Sequence, residues 1–196
     1  RVLVVFDVSD SMGDSADPFK PHSPTKIARA RAALAGALGQ LSLDDAIGLR
    51  IFTTGLPGRA GGSADWRDVV PIGPLAQRGP ALERAITALT PLRGSPLYAA
   101  TRDAFDTAAQ TADPQRINGV IVLTDGYNEV DRDNNLSALL AHLGTRSDIH
   151  VITIAYGMDA DIATLRKIAQ ATNAWNYDAS ATLDLPDLLP RALANF

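Results

Sequence analysis

At 196 residues the chain is long enough to bury one sizeable core, and a 46% hydrophobic, 20% charged composition is that of an ordinary globular protein. A formal charge of −4, with the basic residues scattered, excludes the global positive field that recruits nucleic acid. The absence of cysteine excludes disulfide staples, thiolate metal sites and a cysteine nucleophile, while fitting either side of a membrane.

In chain order, Val2 to Phe6 is an unbroken β-branched run, as expected of a central parallel strand buried on both faces. Gly13 to Pro24 reads as a loop. A helix is expected to start at Ser23-Pro24-Thr25, a capping residue followed by proline, and to run through Gln40. Asp45 to Phe52 reads as a second strand, Gly55 to Asp65 as a flexible loop, and Trp66 to Ile72 as a short edge strand. Helices are expected at Pro80 to Leu89 and Pro96 to Ala112. Gly119 to Leu123 repeats the buried-strand pattern, and Leu136, Leu139, Leu140 and Leu143 mark a helix after it. Ile149 to Ala155 reads as another buried strand, Asp161 to Ala171 as a helix, and Ala174 to Tyr177 as a last strand. Leu185 to Phe196 forms a closing amphipathic helix that Pro190 is expected to kink. Strands alternating with helices imply an α/β fold with a doubly wound, mostly parallel, Rossmann-like sheet. No stretch approaches the ~20 apolar residues of a membrane span, and no signal peptide is present. Residues 1–196 read as one domain that starts inside a strand and is therefore cut from a longer protein.

Polar oxygen donors stand at the ends of these hydrophobic strands. Asp7, Ser9 and Ser11 alternate directly after the first strand, Ser95 precedes a helix in Gly94-Ser95-Pro96-Leu97-Tyr98, and Asp125 ends the strand at Leu123-Thr124-Asp125-Gly126. Ligands of open α/β sheets bind at the carboxyl ends of the strands, and short oxygen-bearing side chains suit a hard divalent cation. Taken singly, each piece has a plainer reading: a strand-end turn for Asp7 to Ser11, a helix cap for Ser95, a turn for Asp125-Gly126.

In this order and register the three pieces resemble the metal-ion-dependent adhesion site of von Willebrand factor A (vWA) domains, and the likeness extends over essentially the whole chain. The resemblance implies direct cation ligation by the hydroxyls of Ser9, Ser11 and Ser95, with Asp7 and Asp125 acting through waters or hydrogen bonds. It implies a divalent cation, magnesium first, with manganese or calcium as alternatives. It also implies a protein partner whose Asp or Glu carboxylate replaces a metal-bound water, with Asp10, Met12, Gly94, Gly126 and Tyr127 around the ion. Two positions depart from the family pattern: Ser95 stands where threonine is common, and Asp10 where a small residue, often glycine, is usual. In some relatives the carboxyl-terminal helix shifts, so Leu185 to Phe196 is a candidate bistable element. A looser likeness to actinobacterial surface proteins implies an extracytoplasmic or cell-surface location, with the cytoplasm as the alternative, and flanking domains in the same chain.

The resemblance implies binding without catalysis. A scaffold role in a metal-insertion or secretion complex is the alternative, and a magnesium-dependent hydrolase a more distant one. An aspartyl-phosphate mechanism needs a carboxylate two residues after its nucleophile, where this chain has Ser9, and no lysine is expected at the strand ends among Lys20, Lys26 and Lys167. Ser23-Pro24-Thr25-Lys26 lacks the companion motifs of a serine hydrolase. Asp131-x-Asp133-x-Asn135 lacks the glycine and closing glutamate of a calcium loop. The Gly55–Gly62 loop lacks a phosphate-binding ending. His22, His142 and His150 have no ligand spacing, and Trp66, Trp175 and Tyr177 read as edge or core residues.

Overall fold

A computed structural model describes residues 1–17, 19–20, 22–58, 62–180 and 185–194. Strand β1 (Val2–Asp7) lies in the middle of a six-stranded sheet because every one of its side chains is buried, and only an internal strand covered on both faces satisfies that. It pairs in parallel with β2 (Ala46–Pro57) on one side and with β4 (Asn118–Thr124) on the other. Beyond β2 runs the antiparallel β3 (Ser63–Pro74). Beyond β4 run the parallel strands β5 (Ile149–Tyr156) and β6 (Asn176–Ala179), giving the order β3-β2-β1-β4-β5-β6. The chain thus winds outward in one direction from β1 to β2, then returns past β1 to β4. That reversal is the topological switch point, where the loops after β1 and β4 part and leave a crevice.

Among the described residues six α-helices cover the two faces. Alternation along β1 sends Val2, Val4 and Phe6 to a core shared with α1 (Lys26–Leu38), α2 (Leu75–Thr87) and α6 (Leu185–Leu193). Leu3 and Val5 join the opposite core, with α3 (Leu97–Gln110), α4 (Leu136–Leu143) and α5 (Ile162–Gln170). Asp7, next in that alternation, points toward the start of α3. Both faces being covered, the expected α/β architecture, a doubly wound and mostly parallel sheet, is the one observed.

Several boundaries differ from the sequence reading. Helix α1 is capped by the Thr25 hydroxyl, which accepts from the Ala28 amide at 3.3 Å, rather than by Ser23. Helix α2 starts at Leu75, five residues before Pro80, because the first two amides find backbone acceptors: Leu75 N–H on the Asp45 carbonyl and Ala76 N–H on the Leu43 carbonyl. Such a cap leaves no side-chain signature. Strands β2 and β3 extend to Pro57 and back from Ser63, so most of the expected Gly55–Asp65 loop is a long hairpin; its tip, 59–61, lies outside the described residues. The last strand falls at Asn176–Ala179, two residues later than expected. Helix α6 ends at Leu193 with Pro190 inside it, and Phe196 lies outside the described residues.

The edge strand β3 is tied down by one buried cation. Arg50 of β2 donates from Nε to Asp68 of β3 at 2.6 Å and from Nη1 to Asp103 of α3 at 2.5 Å; Nη2 reaches Thr107 at 3.0 Å. This guanidinium joins strand, edge and helix in planar bidentate geometry. No described helix is long and apolar enough to cross a membrane.

Candidate metal centre

The three polar segments meet at the switch point. Asp7 ends β1, and the backbone then turns sharply through Asp10–Gly13, a single 3₁₀ turn. That turn stacks Ser9 and Ser11 on one side, their hydroxyls 3.2 Å apart. Ser95 is delivered by the loop before α3, which is stitched to the sheet by Leu92 N–H on the Val8 carbonyl at 2.7 Å, Arg93 N–H on the Thr53 hydroxyl at 2.9 Å and Thr54 N–H on the Gly94 carbonyl at 3.0 Å. Asp125 follows β4 directly.

These groups form one hydrogen-bonded network. Asp7 Oδ1 accepts the Ser9 amide at 2.8 Å, while Oδ2 accepts the hydroxyls of Thr124 at 2.5 Å and Ser95 at 3.2 Å. Ser11 donates to Asp125 Oδ1 at 2.9 Å, and Lys26 Nζ donates to Asp125 Oδ2 at 2.7 Å. Asp7 and Asp125 are both wholly buried, Ser9 and Ser95 nearly so. Burial, reinforced by the neighbouring Asp125 carboxylate, pushes the Asp7 carboxyl up from 3.8 to about 6.

All five expected site residues, Asp7, Ser9, Ser11, Ser95 and Asp125, therefore converge. Ser95 does not cap its helix: residue 96 occupies that position with no side-chain bond, and the α3 amide of Tyr98 is met instead by Asn128 Oδ1 at 3.1 Å. Of the flanking residues, Asp10 and Tyr127 are exposed, and Gly94 and Gly126 are half-buried at the rim. Met12 is a correction. It is fully buried in the core beneath the turn, so it supports the loop and presents nothing to a partner. The lysine reading is corrected as well. Lys26 enters from the start of α1, and its ammonium sits on the strand-end Asp125.

Four supporting residues escaped the sequence reading. Thr124 clamps Asp7, Lys26 clamps Asp125, and Asn128 caps α3 while its amide donates to the Val130 and Asp133 carbonyls. Glu129 and Ser95 bind each other reciprocally: the Ser95 amide donates to Glu129 Oε2, and the Glu129 amide to the Ser95 carbonyl, both at 2.9 Å. Gly94 makes room for that clamp, since a Cβ there would stand 2.7 Å from Glu129 Oε2. Only Thr124 carried a local signal, its place on the buried face of a strand end. The others depend on contacts made across the fold.

The donor set fits a hard divalent cation. It consists of three hydroxyls and two carboxylates, oxygen throughout, and among the described residues Asp7 has no cationic partner of its own. Adjacent oxygens around an octahedral magnesium lie about 3.0 Å apart at its usual bond length. The Ser9–Ser11 spacing of 3.2 Å is close to that edge, and Ser11 is oriented by its 2.9 Å hydrogen bond to Asp125. Among the described residues no group of three or more His, Cys, Asp or Glu side chains gathers to hold a metal, here or elsewhere, so the fit of this centre rests on its hydroxyls together with the two aspartates. The other acidic and histidine patterns are accounted for locally. Asp133 pairs with Arg102, Asn135 caps α4, His142 meets Asp106 at 2.7 Å and His150 meets the Thr172 carbonyl at 3.1 Å.

The arrangement of strands and helices is shared with solved structures. BatB, a conserved hypothetical protein from Bacteroides thetaiotaomicron, superposes with a TM-score of 0.74 at 15% identity, covering 99% of this chain and 97% of that one. A von Willebrand factor type A protein from Catenulispora acidiphila gives 0.70 at 22% identity, covering 98% of this chain and 41% of that one. The PilB minor pilin from Streptococcus sanguinis gives 0.68 at 14% identity, covering 99% of this chain and 60% of that one. The chain has the vWA fold. No protein-family model matches its sequence, and no curated protein sequence matches it.

Proposed function

We propose that this chain is a divalent-cation-dependent protein-recognition module with no catalysis of its own. The observation that carries the reading is the network of three hydroxyls and two wholly buried carboxylates at the switch point of a vWA fold. Ser9, Ser11 and Ser95 would hold the cation directly, and Asp7 and Asp125 would orient those hydroxyls and bound waters. A magnesium or manganese ion held mainly by neutral hydroxyls supplies a position at which an outside carboxylate is a favourable ligand.

The chain's own residues do the rest. Thr124 and the Ser9 amide fix Asp7, the Glu129 clamp fixes Ser95, and the 3₁₀ turn fixes Ser9 against Ser11. The segments that follow β1, β4 and β5 carry exposed apolar side chains at Phe19, Tyr127 and Met158, the loop before α3 carries exposed Leu92, and Asp10 is exposed in the turn after β1. An apolar rim about an electrophilic point suits an acidic residue set among hydrophobic neighbours on a protein partner. Chemistry is disfavoured because Ser9 stands where an aspartyl-phosphate mechanism needs its acid–base carboxylate, and the one nearby lysine is committed to Asp125. An extracytoplasmic or surface location, with flanking domains in the same chain, belongs to the same reading.

The test is binding of immobilised protein to peptides that carry one Asp or Glu among apolar residues, in magnesium and in chelator. The reading expects binding in magnesium that is lost in chelator and in a Ser9→Ala/Ser11→Ala variant. Binding indifferent to both would contradict it.

A further inference from the structure

We infer that Lys26 is a built-in counter-cation of this centre, one that weakens binding of a divalent ion alone and makes full occupancy depend on an incoming carboxylate. The inference rests on the proposed cation site. Lys26 is the first residue of α1, held there by its amide on the Asp14 carbonyl at 2.8 Å. A lysine at that position ordinarily extends into water. This one turns inward, its side chain only 7% exposed, and delivers Nζ to within 2.7 Å of Asp125 Oδ2.

The surroundings are shaped for it. Gly157 adopts φ +94, and a Cβ there would stand 3.2 Å from Lys26 Cε and 3.4 Å from Asp125 Cβ, so a side chain would crowd the pair. Asp159, exposed, offers a second carboxylate 3.9 Å from Nζ. A cleft of about 260 Å³ is bordered by Asp14, Ser15, Lys26, Gly157 and Asp159.

Asp125 divides its two oxygens, Oδ1 toward Ser11 and Oδ2 toward Lys26, so the ammonium charges the centre without occupying the serine side. With both carboxylates ionised, Asp7, Asp125 and Lys26 together leave a single negative charge in a buried place. A divalent ion turns that into a single positive charge, and one outside carboxylate then brings the balance to neutrality. Were Lys26 uncharged, the ion alone would neutralise the two aspartates. Uncompensated charge is costly where water is excluded. The ammonium therefore shifts preference from ion alone to ion plus carboxylate.

Calorimetric titration of metal-stripped protein with manganese at neutral pH tests this, in chloride and in acetate of equal ionic strength. Lys26→Met is expected to bind manganese about tenfold or more tightly than wild type in chloride. Lys26→Arg, which keeps the charge, is expected to stay near wild type. Acetate is expected to tighten manganese binding in wild type and Lys26→Arg more than in Lys26→Met. Should the methionine variant fail to fold, Lys26→Gln, uncharged and still able to donate to Asp125, replaces it. A folded neutral variant that binds manganese no more tightly than wild type would overturn the role of Lys26 and leave the cation site standing. No manganese binding by wild type or any variant would overturn both.

Discussion

Asp7 carries an electrostatic cost in the metal-free protein. It is wholly buried, and burial beside Asp125 raises its carboxyl from 3.8 to about 6. Between those values the folded protein holds a proton that the unfolded chain has released. The contribution of Asp7 to metal-free stability is therefore greatest below the lower value, falls as pH rises toward 6, and levels off above it, with a total loss of order 3 kcal/mol. Chemical denaturation in chelator across that window is expected to show this slope, and Asp7→Asn to flatten it. The same variant is expected to lose manganese binding while melting no lower than wild type at neutral pH; a lower melting point would mean that the carboxylate stabilises the empty site. Glu129 acts through Ser95. Glu129→Ala removes the acceptor for the Ser95 amide and is expected to cost about 1 kcal/mol and to weaken manganese binding, with circular dichroism unchanged.

At the scale of elements, the centre depends on loops whose conformations are held from outside themselves. Asn128, from the loop after β4, caps the first turn of α3, so Asn128→Ala is expected to lose about 1 kcal/mol in urea unfolding. Gly157, at positive φ after β5, is expected to tolerate alanine at a cost of about 1–2 kcal/mol, with a side effect on Lys26 visible as altered manganese affinity. What could be read from the sequence follows the same division. β1, β4 and β5 are legible as apolar β-branched runs because each is buried on both faces, and Asp7, Ser9, Ser11, Ser95 and Asp125 are legible because abrupt polarity at strand ends and loops stands out against such runs. Lys26 is not legible, since a lysine in a first helical turn looks solvated until Asp125 arrives from a strand almost a hundred residues away. Asn128 and Glu129 look like ordinary loop polarity for the same reason. The start of α2 is hidden because backbone carbonyls cap it, and the β2–β3 hairpin because its glycine-rich tip suggests a loop longer than the one formed.

For the whole molecule, winding the chain both ways from β1 is what creates the site: the reversal separates the loops after β1 and β4, and the loop before α3 brings Ser95 to the gap. The helix that supplies Lys26 also packs against α6 in one core, so the closing helix touches the centre through a single intermediate element. Hydrogen exchange in α6 is expected to change when manganese and acetate are added, and identical protection would separate that helix from the site. The most direct measurement of the central claim is calorimetric titration of metal-stripped protein with manganese beside the folded Ser9→Ala/Ser11→Ala variant. The account predicts saturable binding of one ion per chain, lost in the variant. Equal binding by the two proteins, or none by the wild type even with acetate present, would contradict it.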